Sequence, residues 1–471
     1  MPRNSLKIQH NGRTLLRLVV LLLAPLVFVA GLASAQDGAS EPAAEAGGAI
    51  APTADEAQNP ADGKSTPSDA GQQESGKDEA FDPLFEDLLE EDAHDTQVHE
   101  PAAGDPFDSK LVGSVNFAGS AQLDMLYLPT SDHARDLSLD GFTTELSLKL
   151  AADVTDSVSV EVKTCFACHG FELGSAYVDV RPIEAVRLRA GKFVPRFGDF
   201  PQRHDPANHL TSDKPLPYDM GRMVRLREWN MSVLPAPYVD NGFEANVHHN
   251  IGEHVEMDYT AFVLGGLRGG NEAMDVDFIQ SRTPALYYVD NNSEPSVGGR
   301  LEALFVIMRE LTVTLGGSTL YGHYDPNRAL DILIVAGDFV LRLWSVTVRA
   351  EVIARRTKMA LGASPEDTLQ YGPGADGVYD PYSLKEGFYV EVDTPLFGDV
   401  EAVARVDGMR RHGNVLLGSP LRSVSAVLRY TFGLNYLFAA DTFRLKFSGA
   451  FYDFSDFSDE VALHLGLVGA F

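Results

Sequence analysis

Apolar and polar residues alternate with a period of two over most of the chain from Leu111 onward. In the last segment Val461, Leu463, Leu465, Leu467, Gly469 and Phe471 share one parity. Upstream, Phe443, Leu445, Phe447 and Phe451 alternate with Arg444, Lys446 and Ser448. Val346, Val348, Ala350, Val352 and Ala354 alternate with Thr347, Arg349, Glu351 and Arg355. Residues 400–406, 255–263 and 186–190 repeat the pattern. Successive side chains of a strand point to opposite faces, so each run predicts a strand with one apolar and one polar face.

The connections alternate as well. Short turns are expected near 153–155, 181–183, 250–253, 308–309, 342–344, 395–398 and 439–441. Longer or more polar stretches fall between them, near 129–140, 165–171, 196–240, 267–295, 322–328, 358–383, 411–420 and 454–460. Outer-membrane barrels have short turns on one side and long loops on the other. The order predicts sixteen strands, at 112–128, 141–152, 156–164, 172–180, 184–195, 241–249, 254–266, 296–307, 310–321, 329–341, 345–357, 384–394, 399–410, 421–438, 442–453 and 461–471. The fold expected is all-β: an antiparallel transmembrane β-barrel over residues 106–471, apolar outside and polar inside. An even count puts both chain ends in the periplasm. A soluble sandwich alternates too, but its polar face points outward and its strands are shorter.

The N-terminus supplies the compartment. Arg3, Lys7, Arg13 and Arg17 precede an apolar run from Leu18 to Leu32 and the small-x-small site Ala33-Ser34-Ala35. That layout predicts a secretory signal peptide over residues 1–35, cleaved after Ala35. The apolar run is shorter than the ~20 residues needed to span a bilayer as a helix. Residues 36–105 hold nineteen acids against Lys64 and Lys77, a net of −17, and are rich in Ala, Gly, Pro, Ser and Gln. Such a stretch buries too little apolar surface to order itself and reads as a disordered acidic linker. The whole chain carries −29, which leaves −16 for residues 106–471 once the +4 of residues 1–35 and the −17 of the linker are removed. A nucleic-acid footprint would be basic, so no nucleic-acid partner is expected. The alternating last strand that stops at Phe471 resembles the signal read by bacterial barrel-assembly machinery. Outer-membrane lipid is the expected surrounding, in a Gram-negative envelope.

Two stretches carry a family resemblance. One is Ala176-Tyr177-Val178-Asp179-Val180-Arg181-Pro182 with Val186-Arg187-Leu188-Arg189-Ala190-Gly191-Lys192-Phe193-Val194-Pro195-Arg196-Phe197-Gly198. The other is Phe432-Gly433-Leu434-Asn435-Tyr436-Leu437-Phe438. The chain resembles the phosphate-selective porin family. The resemblance implies a sixteen-stranded homo-trimeric porin for small anions, with a third external loop that folds into the lumen. The stretch 196–240 occupies that place and is dense in proline. The expected pore-lining basic set is Arg187, Arg189, Arg349, Arg355, Arg405, Arg429, Arg444 and Lys446. It is matched by Glu145, Glu244, Glu256, Asp258, Glu351, Glu401 and Asp407, and mixed signs do not support strong anion selectivity.

The only two cysteines lie in Cys165-Phe166-Ala167-Cys168-His169, placed by the strand count in the second external loop. Cys-x-x-Cys-His is the attachment sequence of heme c: two thiols reach the vinyl groups and the His ligates iron. Here His169 would hold the haem iron, and His204 or His209 from the neighbouring loop, with Met220 and Met223 as further donors, would complete it. A local Cys165–Cys168 disulfide, a free dithiol or a zinc site are the other readings of the same residues. No catalytic constellation stands out: there is no Gly-x-Ser-x-Gly elbow, His-Glu-x-x-His or Walker loop. The expected function is a channel for small hydrophilic solutes, not an enzyme. The alternative is a haem-bearing electron-transfer barrel that works with a periplasmic or surface cytochrome.

Overall fold

A computed structural model of the chain describes residues 114–129, 141–167, 170–219, 232–267, 292–359, 371–372, 380–416, 421–439 and 442–471. The expected signal peptide and acidic linker lie outside the described residues, as do Cys168, His169, Met220 and Met223.

Strands β1 (Ser114–Tyr127), β2 (Gly141–Thr155), β3 (Val158–Ala167), β4 (Gly170–Ile183), β5 (Val186–Phe193) and β6 (Asp240–Ile251) open the barrel. It continues through β7 (Val255–Leu264), β8 (Ser296–Met308), β9 (Leu311–His323), β10 (Asp331–Leu343) and β11 (Val346–Lys358). It ends with β13 (Tyr382–Phe397), β14 (Val400–His412), β16 (Val424–Phe438), β17 (Phe443–Phe454) and β18 (Glu460–Ala470). These sixteen strands form one closed antiparallel sheet, each paired with its neighbour in sequence and β1 paired with β18. Two short strands, β12 (Tyr371–Gly372) and β15 (Val415–Leu416), pair with each other between loops. The closing seam runs from Ser120 opposite Ala470 to Tyr127 opposite Leu463, and Phe471 exchanges backbone hydrogen bonds with Gly119. Closure leaves no strand edge unpaired, the condition for a sheet in hydrocarbon.

Alternation decides which face goes where. On β16 the outward Phe432 is 68% exposed, while the inward Arg429 is fully buried. Phe447, Leu465 and Val352 repeat the outward pattern. An apolar outer wall of this extent is what a barrel presents to lipid. Among the described residues no helix is long and apolar enough to cross a membrane.

Two expectations need correction. The β3–β4 connection is only residues 168–169, so Cys165 lies within β3, opposite Ser147 and Glu172, and not in a loop. Short and long connections therefore do not alternate strictly. The inner face is also not polar throughout. Toward the long-loop end the inward positions become apolar, at Leu126, Phe262, Leu264, Leu320, Ile332, Ile334, Ile353, Val427 and Phe454. They pack against loop residues Phe197, Phe200, Leu216, Tyr218, Val233 and Leu234, all at most 1% exposed. The reason is physical: a loop folded inside a barrel must bury its own apolar side chains, and the wall supplies the other half of that core.

Candidate constriction site

The connection between β5 and β6 turns into the barrel. Gly191 starts the inward course with φ +133°, where a Cβ would lie 2.4 Å from the Ala176 carbonyl oxygen. Only glycine accepts that conformation and that approach. Phe193 then packs edge-on against Tyr177 at 6.5 Å, under Arg189, which is 3.9 Å from the Tyr177 ring and bonded to Asp179.

Gly198 is the second pivot, at φ +70°; its missing Cβ would sit 2.2 Å from Glu351 Oε1. That space lets the Glu351 carboxylate of β11 accept the amides of Asp199 (3.2 Å) and Phe200 (3.3 Å) and the Tyr218 hydroxyl (2.5 Å). The Gly198 amide donates to Ser318 of β9 at 3.0 Å. Phe200 stacks on Tyr218 at 5.4 Å, and Arg203 binds Asp199 at 3.0 Å and the Tyr389 hydroxyl at 3.2 Å.

The far wall holds the loop in the same way. Lys163 of β3 donates to Asp205 at 2.6 Å. Lys446 of β17 donates to the carbonyls of Pro206 (2.5 Å), His209 (2.6 Å) and Thr211 (3.4 Å), and Arg444 to that of Ala207 (3.1 Å). Asp213 receives Arg405 of β14 at 3.0 Å and also Arg429 of β16. Asp407 of β14 takes the Leu216 amide at 2.8 Å. Arg355 of β11 donates to the Val233 carbonyl at 2.8 Å, and Glu244 of β6 accepts the Arg196 amide at 2.8 Å. Contacts from strands spread around the wall make the loop an internal brace.

The expected basic set can now be placed. All eight residues are on inward positions, and all are engaged. Arg189 pairs with Asp179, Arg349 with Asp393, and Arg444 with Glu401 at 3.5 Å. Arg355, Arg405, Arg429 and Lys446 hold the loop as described, and Arg187 is likewise partnered. Opposite charges close together inside the wall cancel, so these residues act as struts and do not present a positive ladder. Sequence reasoning missed Asp213, Tyr218 and Glu351 as loop anchors. The one signal for them was the set of unbroken apolar runs, such as 332–335, which mark strand ends apolar on both faces, the inward one turned to the loop.

Burial sets the charge states within the loop. It holds His204 down to about 3, with Lys163 adding to the effect against the pull of Asp205. His209 is also held well below its ordinary value by burial and by Lys446. Both rings are therefore neutral. Asp205 and Asp213 stay ionised: burial would raise them, but Lys163 lowers the first, and Arg429 and Arg405 the second.

The haem donors fare differently. The Cys165 thiol is buried, with its Sγ 3.1 Å from where a Cβ on Gly174 would stand. His204 has its Nδ1 2.7 Å from the Pro201 carbonyl and its Nε2 3.3 Å from Asp205. His209 gives its Nδ1–H to the Thr211 carbonyl at 2.7 Å and leaves Nε2 without a partner. Of the two candidate histidines, His209 is the one with a ring nitrogen that has no hydrogen-bond partner. Cys165 is buried within β3, while Cys168 and His169, the other two residues of the attachment sequence, lie outside the described residues.

No protein-family profile and no curated protein matches the chain. Solved structures do. The anion-selective porin from Comamonas acidovorans aligns at 12% identity and a TM-score of 0.48, covering 76% of this chain and 99% of that one. The outer membrane channel DcaP of Acinetobacter baumannii aligns at 11% and 0.47, covering 78% and 99%. OmpT, an outer membrane protein of Vibrio cholerae, aligns at 10% and 0.44, again covering 78% and 99%.

Proposed function

We propose that this protein is an outer-membrane porin: a passive channel for small hydrophilic solutes, narrowed by residues 194–219 and 232–239. One observation carries the reading. A closed barrel with an apolar outer wall holds a loop braced across its interior by buried charges, so any solute must pass between loop and wall. Exclusion by size and by the polarity of the remaining gap is what such an arrangement can do chemically. No reacting group is required. A homo-trimer in outer-membrane lipid, as the family resemblance implies, belongs to the same reading, as does export by the signal peptide.

Anion selectivity gains no support from the basic residues, because each is already paired. Planar-bilayer recording of the folded protein is the test. Stable ohmic current is expected; a folded barrel that never conducts would overturn the reading. The electron-transfer alternative rests on Cys165, Cys168 and His169 as a motif alone, and the burial of Cys165 weighs against it.

A further inference from the structure

Cross-strand register gathers carboxylates into one inward row. Asp258 of β7 stands opposite Glu302 of β8, and Glu302 opposite Gly316 of β9. Gly316 in turn faces Asp338 of β10, and Asp338 faces Glu351 of β11. Like charges on neighbouring strands repel, so the row needs compensation. It is only partial. Arg300 binds both Glu302 and Asp338 at 2.6 Å, in the space a Cβ on Gly316 would fill. Asp258 has His248 3.4 Å from one oxygen, but its Oδ1 accepts no hydrogen bond, and Arg196 is 3.7 Å away. Glu351 accepts loop amides and the Tyr218 hydroxyl.

The excess continues toward the short turns. Arg203 lies 3.0 Å from Asp199 and 3.6 Å from Glu391, and Arg349 pairs with Asp393. Arg342, at the short-turn end of β10, is engaged as well. These seven carboxylates thus meet five arginines. Water reaches the acids first. In three of the sector's pairs the carboxylate is the more exposed side chain: Glu302 19% against Arg300 6%, Asp199 26% against Arg203 13%, and Asp393 15% against Arg349 12%. Asp258 and Arg196 reverse that order. Elsewhere in the lumen Asp205–Lys163 and Glu401–Arg444 follow it, while Lys149–Glu161 and Arg189–Asp179 do not. Gln202 and Asn208 on the loop are exposed, so this face of the loop is open to water. Against the effect of burial, Arg203, Arg349 and Arg300 hold the Asp199 carboxyl below its ordinary value, and it is ionised.

We infer that the channel prefers small cations, and that Asp199, Glu302 and Asp393 set the preference from the water-exposed face of the loop and the β8–β13 wall beside it. The inference rests on the channel reading and names its solute class. Its physical basis is a field. Carboxylates that outnumber their arginines and stand nearer the water give the vestibule a negative potential, which low-dielectric walls focus. A cation gathers there before it meets the constriction, and an anion is repelled. The choice is opposite to the one the family resemblance implies.

The reversal potential of the full-length protein in a KCl gradient reads the preference. Potassium is expected to permeate at least about three-fold better than chloride at low salt, with the ratio falling toward unity near about 1 M, where charges are screened within about 3 Å. The double variant Glu302→Gln/Asp199→Asn should lower the low-salt ratio at least about two-fold. Arg300 keeps Asp338 and Arg203 keeps Glu391, so this variant should fold, as heat-modifiable gel mobility checks. Should it not fold, Asp393→Asn gives the same readout. Glu386→Gln, on the outer wall beside Arg410, should leave the ratio unchanged. A ratio at or below unity, an unchanged ratio in the lumen variants, or an equal loss in Glu386→Gln would each overturn the inference. A folded barrel without current overturns the channel reading. In that case Gln202→Cys, in a Cys165→Ser/Cys168→Ser background, decides the field alone. Trimethylammonium-ethyl and sulfonato-ethyl methanethiosulfonates are compared, each rate taken relative to free cysteine. A cationic preference of about five-fold or more that collapses with Glu302→Gln/Asp199→Asn supports the field, and equal rates overturn it.

Discussion

Glu351 accepts the Tyr218 hydroxyl at 2.5 Å inside the barrel, joining a wall strand to a loop residue 133 positions earlier in sequence. The same carboxylate takes two loop amides beside Gly198, so one side chain secures both the descending and the returning arm. Burial and the neighbouring Glu351 together hold the Tyr218 hydroxyl protonated, well above its ordinary value, which keeps the donor in place.

Gly198→Ala should therefore undock the loop. A left-handed backbone costs a residue with a Cβ roughly 1–2 kcal/mol, and the methyl would also strike Glu351 Oε1. Larger and noisier single-channel currents are expected, with faster tryptic cleavage after Arg203. Wild-type currents and protection in this variant would show that the pivot does not set the constriction.

Asp213 neutralises two guanidinium groups, and all three side chains are shut off from solvent. Removing one partner of a buried ion pair costs roughly 3–5 kcal/mol because a charge is left uncompensated. Asp213→Asn should lower the stability of the docked loop and shift selectivity toward chloride. The reversal potential in a KCl gradient measures this, and an unchanged value would mean that Arg405 and Arg429 do not face the permeation path.

Acid should weaken the docked loop. His204 is held down to about 3 when docked, whereas an exposed imidazole titrates near about 6.5. Between these values the undocked loop binds the extra proton, so docking is at full strength above about pH 6.5 and declines progressively toward pH 3. Asp205, held low by Lys163, adds a loss in the same direction below about pH 4. Current fluctuations recorded from pH 7 to pH 4 should rise, and His204→Gln should flatten the rise. A flat wild-type profile would contradict this.

Cys165 offers a direct chemical check. In a Cys168→Ser background its buried thiol should resist a bulky maleimide in the folded barrel and react once the protein is unfolded. Intact mass and a haem stain on the unmodified protein address the motif itself. A covalent haem mass would mean that β3 departs from the wall at Cys165 in the loaded protein.

The strand pattern was legible because period-two alternation is a local property. Each inward or outward assignment depends on a residue's immediate neighbours, and Phe432, Val352 and Leu465 already declare the lipid face. Turn lengths then led to the sixteen strands. Cys165 was misplaced because a break of only two residues between strands carries no compositional mark.

What sequence alone could not decide was how the inward charges are used. Arg429 meets Asp213 across 216 residues, and Lys446 meets the Pro206 carbonyl across 240. Parity showed that these side chains point inward, but only closure of the barrel brings the loop to them. That closure turned a row of arginines and lysines into struts.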